Sequence, residues 1–344
     1  MKAIVYSQTG DPSVLQLVDR PVSEPGAGEV RVRIVVSGVN PTDWKSRAGS
    51  APGEKLAFDD VVPGQDGAGI VEAVGAGVEH VAVGDRVWLA LAAYQRANSG
   101  SAQEQAVLPV ERVFPLPAGA SFDQGASLGV PAITAHRALT VAEDGPQRLS
   151  PGALAGTVVL VAGGAGAVGH AAIQLARWAG ASVITTVSSP AKAALATAAG
   201  AQHVLTYTDP DVVARIRAIA PDGVDLIVEV APAQNSELDL AVIRNRGSIA
   251  VYANNGGDQV TLDVRQHFSL NVRYQFLLLY TVGMEAIRAA AEDINAALAD
   301  GALAVGEAAG LPLHRTDLAH TAEAHALVES GVVGKVLIDV AAAS

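Results

Sequence analysis

The segment from Thr157 to Lys192, TVVLVAGGAGAVGHAAIQLARWAGASVITTVSSPAK, constrains the fold of this chain more than any other. A short β-branched strand leads into a glycine turn, a helix of small residues and a second strand. Gly164, Gly166 and Gly169 stand there in G-x-G-x-x-G spacing. After a strand and before a helix, one such glycine permits the sharp turn. A second lets the backbone approach a pyrophosphate, and the third lets the helix lie close on the sheet. The helix then directs its free N–H groups and the positive end of its dipole at the phosphates. A membrane span competes with this reading, since no residue from Pro151 to Ala176 is charged. However, GGAGAVG makes a poor continuous helix and the VVLV before it is strand-like. The segment predicts dinucleotide binding.

The strand Ser182 to Val187 should end beside the adenosine ribose, where an NAD-preferring fold places Asp or Glu. Here Ser188, Ser189 and Pro190 follow, with Lys192 just beyond. No carboxylate repels a 2′-phosphate, while two hydroxyls and an ammonium are available to hold one. The chain has only five lysines, so this one is expected to have a purpose. Ser189 could instead simply cap a helix beginning at Pro190. The expected cofactor is NADPH.

Bulk composition removes several classes of function. A net charge of −12 with no basic cluster argues against nucleic-acid binding and against acidic membranes. There is no cysteine, which removes disulfides, thiolate nucleophiles and cysteine-based zinc sites. The start, MKAIVYSQTGDP, lacks a long apolar run, so a soluble cytoplasmic protein is expected.

Half of the residues are hydrophobic and 17% are charged, over 344 residues. Two domains with substantial cores are therefore expected. Before residue 130 short β-rich runs such as EVRVRIVV, AGIVEAV and DRVWLAL alternate with Gly, Pro and Asp turns. From about Ala132 helices alternate with the strands VVLVA, SVITTV, HVLTY, DLIVEV and SIAVYA. That rhythm is the βαβ signature of a parallel sheet covered by helices. The run VRYQFLLLY, an alanine-rich helix near Met284 to Ala299, a further helix and the strand KVLIDV complete the chain. The simplest arrangement returns this tail to the N-terminal β domain.

These motifs, in this order, resemble the medium-chain dehydrogenase/reductase superfamily, and within it the zinc-independent quinone oxidoreductases of the zeta-crystallin type. The landmarks are SGVNPTDWKSRAG, VPGQDGAGIVEAVG, VGDRVW, LGVPAITAHRAL, the glycine fingerprint, GVDLIVEV and AEAHALVESGVVGK, which together span nearly the whole chain. The resemblance implies an α/β protein with a GroES-like β-rich substrate domain, residues 1–132 and 278–344. A doubly wound parallel-sheet (Rossmann) domain would occupy residues 133–277. It also implies a homodimer, to which VRYQFLLLY could contribute a strand pairing across the interface. That run could equally be a buried sheet strand.

Zinc-dependent relatives carry metal ligands where this chain has Ser37 and Gln65-Asp66, and their second-zinc loop is replaced by AAYQRANSGSAQEQ. Catalytic zinc commonly uses three protein ligands. No metal is therefore expected. Carried over by position, Asn40 would sit near the nicotinamide end of the cofactor and Thr134 beside its ring. Gly166, Ala167 and Val168 would contact the pyrophosphate, within the Gly164–Gly169 turn. Ser188, Ser189, Lys192 and Tyr207 would surround the 2′-phosphate. Asn254, Asn255 and Lys335 are further cofactor candidates, although the GK containing Lys335 could equally be a solvated turn.

Lys45 stands where many members have a tyrosine near the substrate. Negative charge builds on oxygen when a quinone or enone is reduced, and an ammonium there would stabilise it. Alternatively Lys45 points to solvent with Trp44 behind it, and Asp43 pairs with Lys45 or Arg47. The expected catalytic set is Asn40, Lys45 and Thr134. The implied activity is NADPH-dependent reduction of a quinone or α,β-unsaturated carbonyl, a small-molecule partner. An enoyl-thioester reductase and a non-catalytic NADPH-binding protein are the alternatives.

Overall fold

The structure is a computed structural model and describes residues 1–341. It divides into two compact units, one formed by residues 1–130 with the segment from Pro312 onward, the other by Pro131–Leu311.

In the second unit six parallel strands lie in the order His203–Thr206, Ser182–Val187, Val158–Ala162, Val224–Glu229, Ile243–Val251, Arg273–Phe276. Successive strands are added to one side up to His203–Thr206 and to the other from Val224–Glu229 on, so the strand order switches between Val158–Ala162 and Val224–Glu229. In an open α/β sheet a ligand binds outside the carboxyl ends of the strands at that switch. Leu160, Ile184, Ile227 and Ile249 are buried in the sheet's core, which explains why these strands read as near-continuous apolar runs. VRYQFLLLY supplies the edge strand Arg273–Phe276, and Phe276 and Leu278 are exposed.

The first unit is built on the sheet Leu313–Asp317, Lys335–Asp339, Glu29–Val39, Asp66–Val74, Arg86–Leu89, Val113–Pro115, with Gln105–Pro109 also paired to Glu29–Val39. Apart from the first pair, all are antiparallel. The tail therefore does return to the N-terminal β unit, but later than expected. Residues 278–311 belong to the second unit, and its start lies at 131 rather than 133. The reason is the helix Met284–Ala299, whose Ile287, Ala291, Ile294 and Leu298 are buried at helical spacing. Its Asp293 accepts from His136 Nε2 at 2.8 Å, Arg148 Nη2 at 2.6 Å and the Leu149 N–H at 2.7 Å. Among the described residues no helix is long and apolar enough to cross a membrane.

Candidate active site

The glycine turn lies at the carboxyl end of Val158–Ala162, before the helix Ala167–Trp178. Its left-handed residue is Gly163, at φ +71°, one position ahead of the fingerprint. Gly164 serves close packing instead, since a Cβ there would lie 2.1 Å from Thr185 Oγ1. A Cβ on Gly169 would come within 2.4 Å of the Gly163 carbonyl oxygen. Gly166 is the N-cap and is exposed, with Ala167 and Val168 half-buried in the first helical turn. The N–H of Gly166 donates to the Gly163 carbonyl at 3.0 Å, while those of Ala167 and Val168, in the first turn, have no intrahelical acceptor. This backbone cradle fits a pyrophosphate.

Beside it a pocket of about 670 Å³ is lined by Gly163, Ser188, Lys192, Tyr207, Asn235 and Asn255, among others. The carboxylate expected of an NAD-preferring strand end is absent, and Lys192 is the cation on this wall. Ser189 does not line the pocket. Its hydroxyl accepts from the Lys192 N–H at 3.3 Å and caps the helix Pro190–Ala198. Asn254 is exposed and its Nδ2 donates to Asp258. Thr134 is buried in the helix Gly129–Leu139. Asn235 and Glu237 also line the pocket. Their only sequence signal was their position just after the GVDLIVEV strand.

The first unit holds a buried polar cluster around Asn40, the N-cap of the helix Pro41–Ala48. Asn40 Nδ2 donates to Asp66 Oδ2 at 2.7 Å, and Lys335 Nζ donates to Asn40 Oδ1 at 2.7 Å. Lys335 also reaches Asp66 Oδ2 at 3.3 Å, and the side chains are 2% and 0% exposed. Asp66 Oδ1 accepts from the Val130 N–H at 2.8 Å. That approach needs Gly129, because a Cβ there would fall 2.0 Å from Asp66 Oδ1. Burial pushes the Asp66 carboxyl up, and Lys335 and Asn40 oppose that rise. Lys335 is thus no solvated turn residue.

Asp43 pairs with neither Lys45 nor Arg47. It accepts from the N–H groups of Asn40 at 2.7 Å and Gln65 at 3.1 Å, and burial together with the nearby Asp66 pushes it up to about 7. Arg47 donates instead to Glu329 and to the Gly10 carbonyl. Lys45 is exposed, its Nζ 6.0 Å from the Trp44 ring centroid. That is the solvated arrangement of the two weighed above, and it keeps Lys45 out of the buried cluster.

The positions where zinc-dependent relatives carry ligands are occupied by other bonds. Ser37 Oγ and Ser101 Oγ lie 2.7 Å apart, and Ser101 Oγ donates to the Asp66 carbonyl at 2.5 Å. The Asp66 carboxylate already faces the Lys335 ammonium. A second cation at that carboxylate would meet the first, so this donor set does not fit zinc. Among the described residues no group of three or more His, Asp or Glu is placed to hold a metal ion.

Residues 26–118 match the alcohol dehydrogenase GroES-like domain family, and residues 167–298 the zinc-binding dehydrogenase family. The chain is 31% identical to a quinone oxidoreductase of Rattus norvegicus, over 98% of this chain and 97% of that protein. The fold is similar to that of Escherichia coli quinone oxidoreductase complexed with NADPH, with a TM-score of 0.79 and 26% identity over 98% of this chain and 100% of the other. It is also similar to an NAD-dependent alcohol dehydrogenase, with a TM-score of 0.82 and 29% identity over 99% and 100%.

Proposed function

The chain belongs to the quinone oxidoreductases of the medium-chain dehydrogenase/reductase superfamily, and on that premise we propose that it uses NADPH, without zinc, to reduce a quinone or an α,β-unsaturated carbonyl. The observation carrying this reading is the pocket wall at the end of Ser182–Val187, where Ser188 and Lys192 stand in place of a ribose-binding carboxylate. The relative from Escherichia coli, crystallised with NADPH, supports the same cofactor.

When bound, the cofactor supplies the hydride. The chain's own contribution is to hold and orient it. The helix start at Gly166–Val168 takes the pyrophosphate, and Lys192, Ser188 and Tyr207 take the adenosine end. Asn40 and Thr134 are assigned to the nicotinamide end by the family resemblance. Both Asn40 side-chain bonds go to buried charged groups, so its amide cannot rotate freely. No step is assigned to a metal, because the buried ammonium of Lys335 already neutralises Asp66.

The test is a panel of acceptors followed by NADPH consumption, including quinones, activated enones and an enoyl thioester, alongside simple alcohols with NADP⁺. Quinones or enones should turn over fastest, and exhaustive chelation should leave the rate unchanged. Stoichiometric zinc whose removal abolishes turnover would refute the metal-free reading. A faster enoyl thioester would identify the alternative reductase, and NADPH binding without turnover would identify a non-catalytic protein.

We further propose a homodimer. The edge strand Arg273–Phe276 has one free hydrogen-bonding edge and sits among the apolar Val264, Phe268, Phe276 and Leu278, which are 74%, 65%, 62% and 56% exposed. Such an edge invites pairing with a second copy. Light scattering should report about twice the 34.9 kDa of one chain. A monomer at assay concentration would rule the dimer out.

A further inference from the structure

A cavity of about 420 Å³ lies within the first unit and shares no lining residue with the dinucleotide pocket. The paired strands Glu29–Val39 and Gln105–Pro109 line it through Glu29, Gln105 and Val107. Arg20 and Glu24 border it as well, as do Arg96, Asn98 and Gln103 from AAYQRANSGSAQEQ, the segment standing in place of a second-zinc loop. Most of the charge around it is matched. Glu24 pairs with Arg31 at 2.7 Å. Glu29 Oε1 accepts from Arg96 Nη2, and its Oε2 from the Gly26 N–H at 3.1 Å. Arg20 is the exception. A guanidinium carries five donors, and among the described residues none of those on Arg20 reaches an acceptor, although its Nη1 is enclosed. Arg20 also borders an adjoining cleft with Asp59 and Asp60, and pairs with neither. Leaving an enclosed charged donor unmet is costly, so an anion is what this position lacks.

Three neighbouring groups define the rest of the ligand. Arg96 donates from Nε to Ser99 Oγ at 3.2 Å and from Nη2 to Glu29, which leaves Nη1 without a partner. The side-chain amide of Asn98 is exposed and unbonded. Gln103 is 1% exposed, and its Nε2 donates to the carbonyls of Asn98 and Gly100 at 2.8 Å each. Only an NH₂ group can face two carbonyls, so the orientation of this amide is fixed by chemistry. Among the described residues no donor reaches its Oε1. The arginines and Asn98 suit an anionic group, whereas Gln103 Oε1 needs a hydrogen-bond donor on the same ligand.

We propose that this cavity binds a small hydroxycarboxylate, with Arg20, Arg96 Nη1 and Asn98 holding the carboxylate and Gln103 Oε1 accepting from the hydroxyl. The site is separate from the cofactor pocket, and its existence does not depend on the reaction proposed above.

Isothermal titration of the full chain with malate tests it, at constant ionic strength and with thermal melting alongside. Malate should bind at one site, with the same Kd whether or not NADPH is present. Arg20→Met should raise that Kd roughly 10- to 100-fold, the effect of one charge-assisted hydrogen bond. Asn98→Ala should raise it roughly 3- to 10-fold, the effect of a neutral one. Succinate, which lacks the hydroxyl, should bind weaker than malate by a similar roughly 3- to 10-fold. Because Arg20 bonds to no acceptor in the protein, Arg20→Met should melt no lower than the native chain when malate is absent. If that variant does not fold, Asn98→Ala, at an exposed side chain, carries the test. No saturable binding to the native chain, unchanged malate affinity in both variants, or displacement of malate by NADPH would overturn the site. Succinate binding as tightly as malate would overturn the hydroxycarboxylate assignment.

Discussion

Replacing Lys335 by Met should destabilise the chain by about 3–5 kcal/mol, the usual cost of breaking a buried ion pair from one side. The substitution keeps the hydrophobic stem but leaves Asp66, 0% exposed, facing no cation, and strips Asn40 Oδ1 of its donor. The loss should depend on pH with a definite sign. Burial already raises the Asp66 carboxyl against the opposing pull of Lys335, so removing that pull raises it further. A carboxyl raised in the folded state favours the fold when protonated, and that support is lost as pH rises. Lys335→Met should therefore lie closer to the native stability at pH 5 than at pH 8. Adding Asp66→Asn should recover much of the loss, because no charge is then left unpaired. Urea unfolding without cofactor measures all of this, cofactor being excluded because it would stabilise the folded state by mass action. A single variant within about 1 kcal/mol of native at pH 8 would show that the pair is not what holds this site.

Lys192→Ala should weaken NADPH by about one to two decades in Kd and leave NADH nearly unaffected. A hydrogen bond to a charged group contributes roughly 1.5–3 kcal/mol, and each 1.4 kcal/mol is tenfold. NADH has no 2′-phosphate to lose. Lys192 is only half-buried, so the effect should shrink as salt is raised. The fold itself does not decide the cofactor, since an NAD-dependent alcohol dehydrogenase is as similar in structure as the NADPH-bound quinone oxidoreductase. Equal affinity of the native chain for both cofactors, or equal weakening of both in the variant, would remove Lys192 from the 2′-phosphate site.

What could be read from the sequence was set by how local its cause is. The glycine fingerprint, the alternation of strand and helix after residue 132, and the missing ribose carboxylate all act within a few residues of themselves. Each was legible, and Lys192 does line the pocket. Ser189 shows the limit of this kind of reading, since one hydroxyl can serve a phosphate or cap a helix, and here it caps. The helix Met284–Ala299 advertised an apolar face, but a face does not name its partner. Hence the boundary expected at 277/278 falls at 311/312. The contact between Lys335 and Asp66 spans 269 residues of chain, and nothing near either residue announces the other.

The split of the first unit between the two ends of the chain also sets the order in which a newborn molecule can be completed. Lys335 meets Asn40 across 295 residues, and its strand pairs with the Val36–Val39 end of Glu29–Val39. At a synthesis rate of about 5–20 residues per second, Asn40 leaves the ribosome on the order of 15–60 s before its partner. Throughout that interval the Val36–Val39 end of that strand lacks the partner that Lys335–Asp339 supplies, since Gln105–Pro109 covers only Glu29–Arg33, and Asp66 has no counter-ion. Residues 131–311, by contrast, emerge as an uninterrupted stretch and can close their sheet first. The early β segment depends on delayed closure, and during synthesis it is the part most exposed to aggregation and most in need of chaperone cover.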